Sequence, residues 1–349
     1  MRIRASGCKD KPTVGTSLQL QLELQRNRVA DEVSAITAVV RPILRGILSS
    51  LKAEVRDQAG GLEGLKLFML ARLRKAGDGD VGICFEYAVH DALTTGQATV
   101  TERVVDALRM CNVPGSQVAS ILFGAEKSGT KTLIATARQL LTPESLLLYG
   151  KQGRPAKLRN YIDRFAAAFR KPAVRNELPQ SISGLWMADL FAGYRDTDRW
   201  IGTTLKINRD LLEGAKGLRL GIVPAFQGAS DAIYRDVSKN LVVCPLPYDG
   251  SFMQIFYQAW EVVVQFLTKG DARVPSEVYL PRPASRQVAR YLEDRRDHTV
   301  LAVIDALEPL AQPQLLESQQ TAAPAPIISG TSAERATTSA VLAPIPRST

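Results

Sequence analysis

The sequence is poor in the residues from which most imidazole and thiol sites are built. Its 349 residues include two histidines and four cysteines. His90 and His298 are too few for a histidine-rich metal cage and offer few bases for a nucleophilic triad. Cys8, Cys84, Cys111 and Cys244 show neither CxxC spacing nor the density of a disulfide framework, the pattern of reduced thiols in a cytosolic protein. Structural zinc is thereby disfavoured, and carboxylates and lysines are left to carry any chemistry. No run approaches the roughly 18 to 20 apolar residues of a membrane helix, and the opening MRIRASGCKDK lacks the apolar block of a secretory signal. The expectation is a soluble, cytoplasmic chain with no membrane partner.

What is present is a globular composition, 45% hydrophobic, with a formal charge of +9. Residues 313–349 contain five prolines and only Glu317, Glu334, Arg335 and Arg347 as charges, so a disordered tail is expected there. Its charges cancel, which assigns the whole excess to the rest of the chain.

Leu18, Leu22, Val29, Val33, Ile36, Val40, Leu44 and Leu48 recur at helical spacing, with Pro42 expected to kink or divide the helix. A second helical stretch covers 62–73, and a third starts near Ile83, after GDGDVG at 77–82. Residues 118–123 and 145–149 are short apolar runs that periodicity alone leaves as strands or buried helix ends. Beyond Pro179, residues 185–194, 199–207, 218–226 and 241–246 read as strands, while 209–217, 251–267 and 286–310 read as helices. The expected organisation is a helical N-terminal region (1–76), an α/β domain (77–312) and a disordered tail (313–349).

Residues 151–175 concentrate the positive charge: Lys151, Arg154, Lys157, Arg159, Arg164, Arg170, Lys171 and Arg175 stand against Asp163 alone. Leu158, Ile162, Phe165 and Phe169 form an apolar face at helical spacing that leaves the cations on the solvent side. Such a segment is either a solvated surface helix or a clamp for a phosphate backbone, whose neutralisation releases counterions. Its place just before a strand hairpin favours the clamp, with DNA as the partner.

Asp189 and Lys206 fall on consecutive strands joined by the polar turn YRDTDR. A hairpin symmetric about Asp196 and Thr197 sets Asp189 opposite Thr204, and Lys206, two residues on, points to the same side. Both charges lie in otherwise apolar strands, where a charge is costly unless paired or bound to a metal. A plain salt bridge is the structural alternative.

ADLFAG (188–193), then WIGTTLKIN (200–208), preceded by the glutamate of FEYAVHDAL (85–93), resembles the core of the PD-(D/E)XK nuclease superfamily. That resemblance implies a restriction-endonuclease-like mixed sheet flanked by helices, in the order helix, three antiparallel strands, helix, strand. It implies Glu86, Asp189 and Lys206 as catalytic residues, with Thr204 standing where a second carboxylate is usual and Ala188 where the name-giving proline is. It also implies Mg²⁺ or Mn²⁺ held by Asp189, Glu86 and the Leu205 carbonyl, or by a migrated acid such as Glu213. The implied activity is DNA phosphodiester hydrolysis in prokaryotic restriction or antiphage defence, with a homodimer possible for double-strand cutting. A DNA-binding or assembly protein that keeps the fold without turnover is the alternative that Thr204 favours.

Two further segments have the look of phosphate loops. GDGDVG follows an amphipathic helix and not a strand, so it reads as a loop. GAEKSGTKT (124–132) places Thr130 between Gly129 and Lys131, which departs from the NTPase spacing and leaves an NTPase as the weaker alternative. Lys127 and Lys131 are further cations for nucleic acid, and His90, one turn after Glu86, reads as a packed histidine.

Overall fold

A computed structural model of the chain describes residues 14–73, 78–123, 141–148, 155–178, 187–215, 217–226, 228–248, 251–269 and 279–311. The expected tail, the GAEKSGTKT segment, Cys8, Lys151 and Arg154 lie outside the described residues. The chain is α/β, with one mixed sheet of eight strands among the described residues and helices packed on it.

In chain order the helices are α1 (Val14–Ser50), α2 (Ala53–Gln58), α3 (Leu67–Leu73), α4 (Asp78–Thr95) and α5 (Ala98–Met110). Strands β1 (Val118–Leu122), β2 (Leu146–Leu148) and β3 (Ala156–Lys157) follow, then α6 (Ile162–Arg170) and α7 (Pro172–Asn176). Next come β4 (Leu190–Tyr194), β5 (Arg199–Leu205), β6 (Leu218–Pro224), β7 (Tyr234–Asp236) and β8 (Leu241–Leu246). After them come α8 (Ser251–Lys269), α9 (Pro283–Glu293) and α10 (Val300–Leu307).

The strand order is β1-β4-β5-β6-β8-β7. Strands β1, β4 and β5 form an antiparallel meander, while β6 lies parallel to β5 and β8 parallel to β6. The edge of β5 away from β4 is divided. Arg199–Ile201 pair with β2, and Gly202–Leu205 pair with β6 after a register shift between Gly202 and Thr203.

Two hydrophobic layers sandwich the sheet. On one face α1, α4, α5 and α8–α10 cover Leu190, Ala192, Ile201, Leu205, Leu220, Ile222 and Cys244. On the other, Leu158, Ile162 and Ala168 of the basic segment pack with Phe123, Phe191, Trp200, Leu218 and Val243. Alternation along the strands produces this division, since successive side chains leave opposite faces, except in β6, where the extra residue at the register shift puts Leu218 and Leu220 on opposite faces. Pro245 is accommodated because its nitrogen faces the edge beyond β7, which pairs only with Leu241–Val243. Its carbonyl accepts from the Arg103 guanidinium at 3.0 Å.

Several boundaries differ from the sequence expectation. Pro42 does not divide α1, which runs through it as one helix. From Asp78 on, the segment GDGDVG is not a loop but part of α4, with Asp80 buried. Early acids suit the positive end of a helix, and that signal outweighs the glycines. Residues 209–217 form only one 3-10 turn, Arg209–Leu211. Gly214 there packs against the Lys239 backbone, where a Cβ would collide with the carbonyl, and Gly217 has φ of +87°, so the crossover stays extended.

The helix expected over 286–310 is two helices. Residues Leu65–Leu67 bond backbone to backbone with His298 and Val300 and pull the chain between α9 and α10 into an isolated bridge. Thr299 then caps α10 by accepting from the Ala302 N–H at 3.2 Å. The N-terminal helical region does not stand apart, because α1 buries Val33 to Leu51 in the same core as α4, α8 and the C-terminal helices. Contrary to the reading from apolar runs, residues 21–50 of α1 are long and apolar enough to cross a membrane by length and composition. In the fold, 83% of the most apolar window is buried, as in the core helix of a packed domain.

Candidate active site

The β4–β5 hairpin has the register expected from its turn: Leu190 pairs with Thr203, Phe191 with Gly202 and Tyr194 with Arg199. Just before β4 the Asp189 N–H donates to the Thr203 carbonyl at 2.9 Å, one residue off the register that pairs Leu190 with Thr203. The Asp189 carbonyl accepts from Phe123 N–H at 2.9 Å, so the residue is fixed from both sides. Phe191 packs on the face that holds the basic segment, and Asp189 has the same parity. On β5, Trp200 lies on that face and Ile201 and Leu205 on the other, which places Thr204 and Lys206 beside Asp189.

The side chains meet there. Asp189 Oδ2 accepts from Leu205 N–H at 2.8 Å and from Thr204 Oγ1 at 3.1 Å, with Lys206 Nζ at 3.7 Å. Asp189 and Thr204 are buried, whereas the Lys206 side chain is 35% exposed. Among the described residues no group donates to Asp189 Oδ1. In an extended strand the N–H and C=O of one residue leave on the same edge. The Leu205 carbonyl therefore lies on the edge where its N–H meets Asp189.

Glu86 is buried in α4, whose neighbouring Phe85, Ala88 and Val89 belong to the helix-side core. It is not among the hydrogen-bond or ion-pair partners of Asp189 or Lys206. Among the described residues, no three His, Cys, Asp or Glu side chains come together as a metal-binding group. Glu213 is exposed beyond the 3-10 turn after β5. His90 is packed, as expected, with Nδ1 2.7 Å from Ser120 Oγ. Burial, with a smaller contribution from Arg45, holds its pKa down at about 4.

The basic segment covers the same face of the sheet as Asp189 and Lys206. Lys157, Arg159, Arg164 and Lys171 are exposed, and Arg170 ends α6. Lys157 is already engaged by Glu144 at 2.9 Å, which leaves Arg159, Arg164 and Lys171 as the freer cations for an anionic partner.

Sequence reasoning missed the anchor that carries this arrangement. Asp198, at φ of +54° in the hairpin turn, accepts from Ser145 Oγ at 2.6 Å, Thr142 Oγ1 at 2.5 Å and the Trp200 indole at 2.8 Å. Burial raises its pKa, but those hydrogen bonds outweigh burial and the net shift is downward. They fasten β2, and the basic segment after it, to the start of β5. The two aspartates of RDTDR were the available signal, because Asp tolerates a left-handed turn.

No family model, curated protein or solved structure matches the chain.

Proposed function

We propose that the chain is a metal-dependent nuclease of the restriction-endonuclease-like type, which hydrolyses DNA phosphodiester bonds at Asp189 and Lys206. The observation that carries this reading is a buried carboxylate and a partly exposed ammonium 3.7 Å apart at the open end of two adjacent strands. The path from α4 through the β1-β4-β5 meander to a parallel β6 is consistent with the superfamily's order, with a 3-10 turn in place of its crossover helix. The exposed cations on the same face supply sequence-independent attraction for a phosphate backbone.

The donors fit a hard ion that keeps most of its water. Mg²⁺ is commonly bound through one or two carboxylates together with substrate phosphate. Asp189 Oδ1 and the Leu205 carbonyl would hold it, with Glu86, buried in α4, as the further acid that the resemblance implies. Once bound, such an ion acts as a Lewis acid on the phosphate. Lys206 directs its ammonium at the negative charge that grows on the phosphate oxygens, and its pairing with Asp189 keeps it in place beforehand.

The test is plasmid cleavage by the full chain in Mg²⁺, Mn²⁺ or EDTA, with Lys206→Ala and Asp189→Ala alongside. Cutting that needs the ion and is lost in both variants is expected. Cutting that survives both substitutions removes the site. A second reading, a DNA-binding protein that keeps the fold without turnover, is favoured by Thr204, a buried neutral group where a second acid is usual. Salt-sensitive DNA binding with no cutting under any ion would select it.

A further inference from the structure

We infer that Thr204 is a positioning residue that commits one oxygen of Asp189 to the protein, so that Asp189 serves as a one-oxygen ligand of a single divalent ion. This rests on the metal-dependent reading above and adds to it the number of ions and the means of orienting the ligand.

A buried hydroxyl needs a hydrogen-bond partner, and Thr204 finds its partner in Asp189 Oδ2. The same oxygen takes the Leu205 N–H and faces the Lys206 ammonium. Two hydrogen bonds and an ion pair therefore converge on Oδ2, while Oδ1 has no donor among the described residues. The carboxylate plane is thereby fixed, and Oδ1 is the anionic atom available outside the protein's own network. Two-ion sites hold their metals about 3.5 to 4 Å apart, which calls for further anionic donors. Thr204 supplies a neutral donor at the position where such an acid would stand, and no cluster of three acidic, His or Cys side chains is present among the described residues.

The experiment is titration of the full-length protein with Mn²⁺, following free ion by electron paramagnetic resonance, for wild type, Thr204→Val, Thr204→Ser and Thr204→Glu. Thr204→Val keeps the β-branched shape and removes the hydroxyl, and thermal melting verifies folding. One ion per chain is expected in wild type. Loss of a group that orients a metal ligand typically weakens affinity by about 10- to 100-fold, which is expected for Thr204→Val. Thr204→Ser should restore binding, and Thr204→Glu should tighten it or admit a second ion.

Two ions per wild-type chain, or Thr204→Val binding as tightly as wild type while folded, would overturn the inference and leave the nuclease reading standing. Absence of any Mn²⁺ binding by wild type overturns both, so the two failures are distinguishable.

Discussion

Lys206 and Asp189 form an asymmetric pair: Nζ lies 3.7 Å from Oδ2, with the lysine side chain 35% exposed and the aspartate 11%. The lysine reaches solvent, while the aspartate is part of the strand-end hydrogen-bond network. The two substitutions should therefore separate. Lys206→Ala is expected to abolish cleavage and change stability by less than about 1 kcal/mol, the usual range for a partly exposed ion pair. Asp189→Ala also leaves Leu205 N–H and Thr204 Oγ1 without their acceptor and should cost about 1–3 kcal/mol. Urea unfolding beside the cleavage assay measures both, and equal destabilisation by the two would contradict the asymmetry.

Charge reversal on the basic face should act on affinity and not on chemistry. Arg164→Glu with Lys171→Glu is expected to weaken DNA binding whatever the sequence and to flatten its dependence on salt, each lost phosphate contact lowering the slope by roughly 1. Fluorescence anisotropy across a salt series reads this directly. Unchanged affinity would make α6 an ordinary solvated helix.

His90 links stability to pH. Its pKa is near 4 when folded, against 6.5 for the unperturbed group, because burial and then Arg45 disfavour the charged ring. Between those values the unfolded chain binds a proton that the folded chain does not. The contribution is fully present above about pH 6.5 and is lost as pH falls towards 4, by about 3 kcal/mol at most. Unfolding curves at pH 7 and 4.5 should show a larger acid loss for wild type than for His90→Gln. The same loss in both would mean that other groups account for it.

Gly193 is a packing constraint in the middle of β4. A Cβ there would collide with the Arg199 carbonyl across the ladder. Gly193→Ala should destabilise the protein by about 1–3 kcal/mol, the usual cost of overpacking. Because the same hairpin aligns Asp189 with Lys206, cleavage should fall with it. A melting temperature equal to wild type would show that the hairpin adjusts freely.

The parts of the fold legible in the sequence are those governed by local pattern. The symmetric polar turn YRDTDR specifies the β4–β5 register from Leu190–Thr203 to Tyr194–Arg199, and the apolar run of β8 delimits that strand. Long-range contacts govern the rest. The break between α9 and α10 arises because Leu65–Leu67 reach across to His298 and Val300, some 230 residues away by the numbering, and no local signal announces it. The divided edge of β5 is likewise set by two segments on either side of it in the chain. At the site, sequence pattern supplies Asp189, Lys206 and the anomaly of Thr204. It does not show that the Leu205 N–H and the Thr204 hydroxyl converge on one oxygen, nor that the Glu86 side chain is buried.

The exposed stretch of α1 has a practical use. Residues 21–28 are all solvent-facing, ahead of the part of the helix that enters the core at Val33. At 1.5 Å per residue they form a rod of about 12 Å. A fluorophore or surface-coupling group attached along it would sit on helix that the core does not cover, so labelling there leaves the buried positions from Val33 onward untouched.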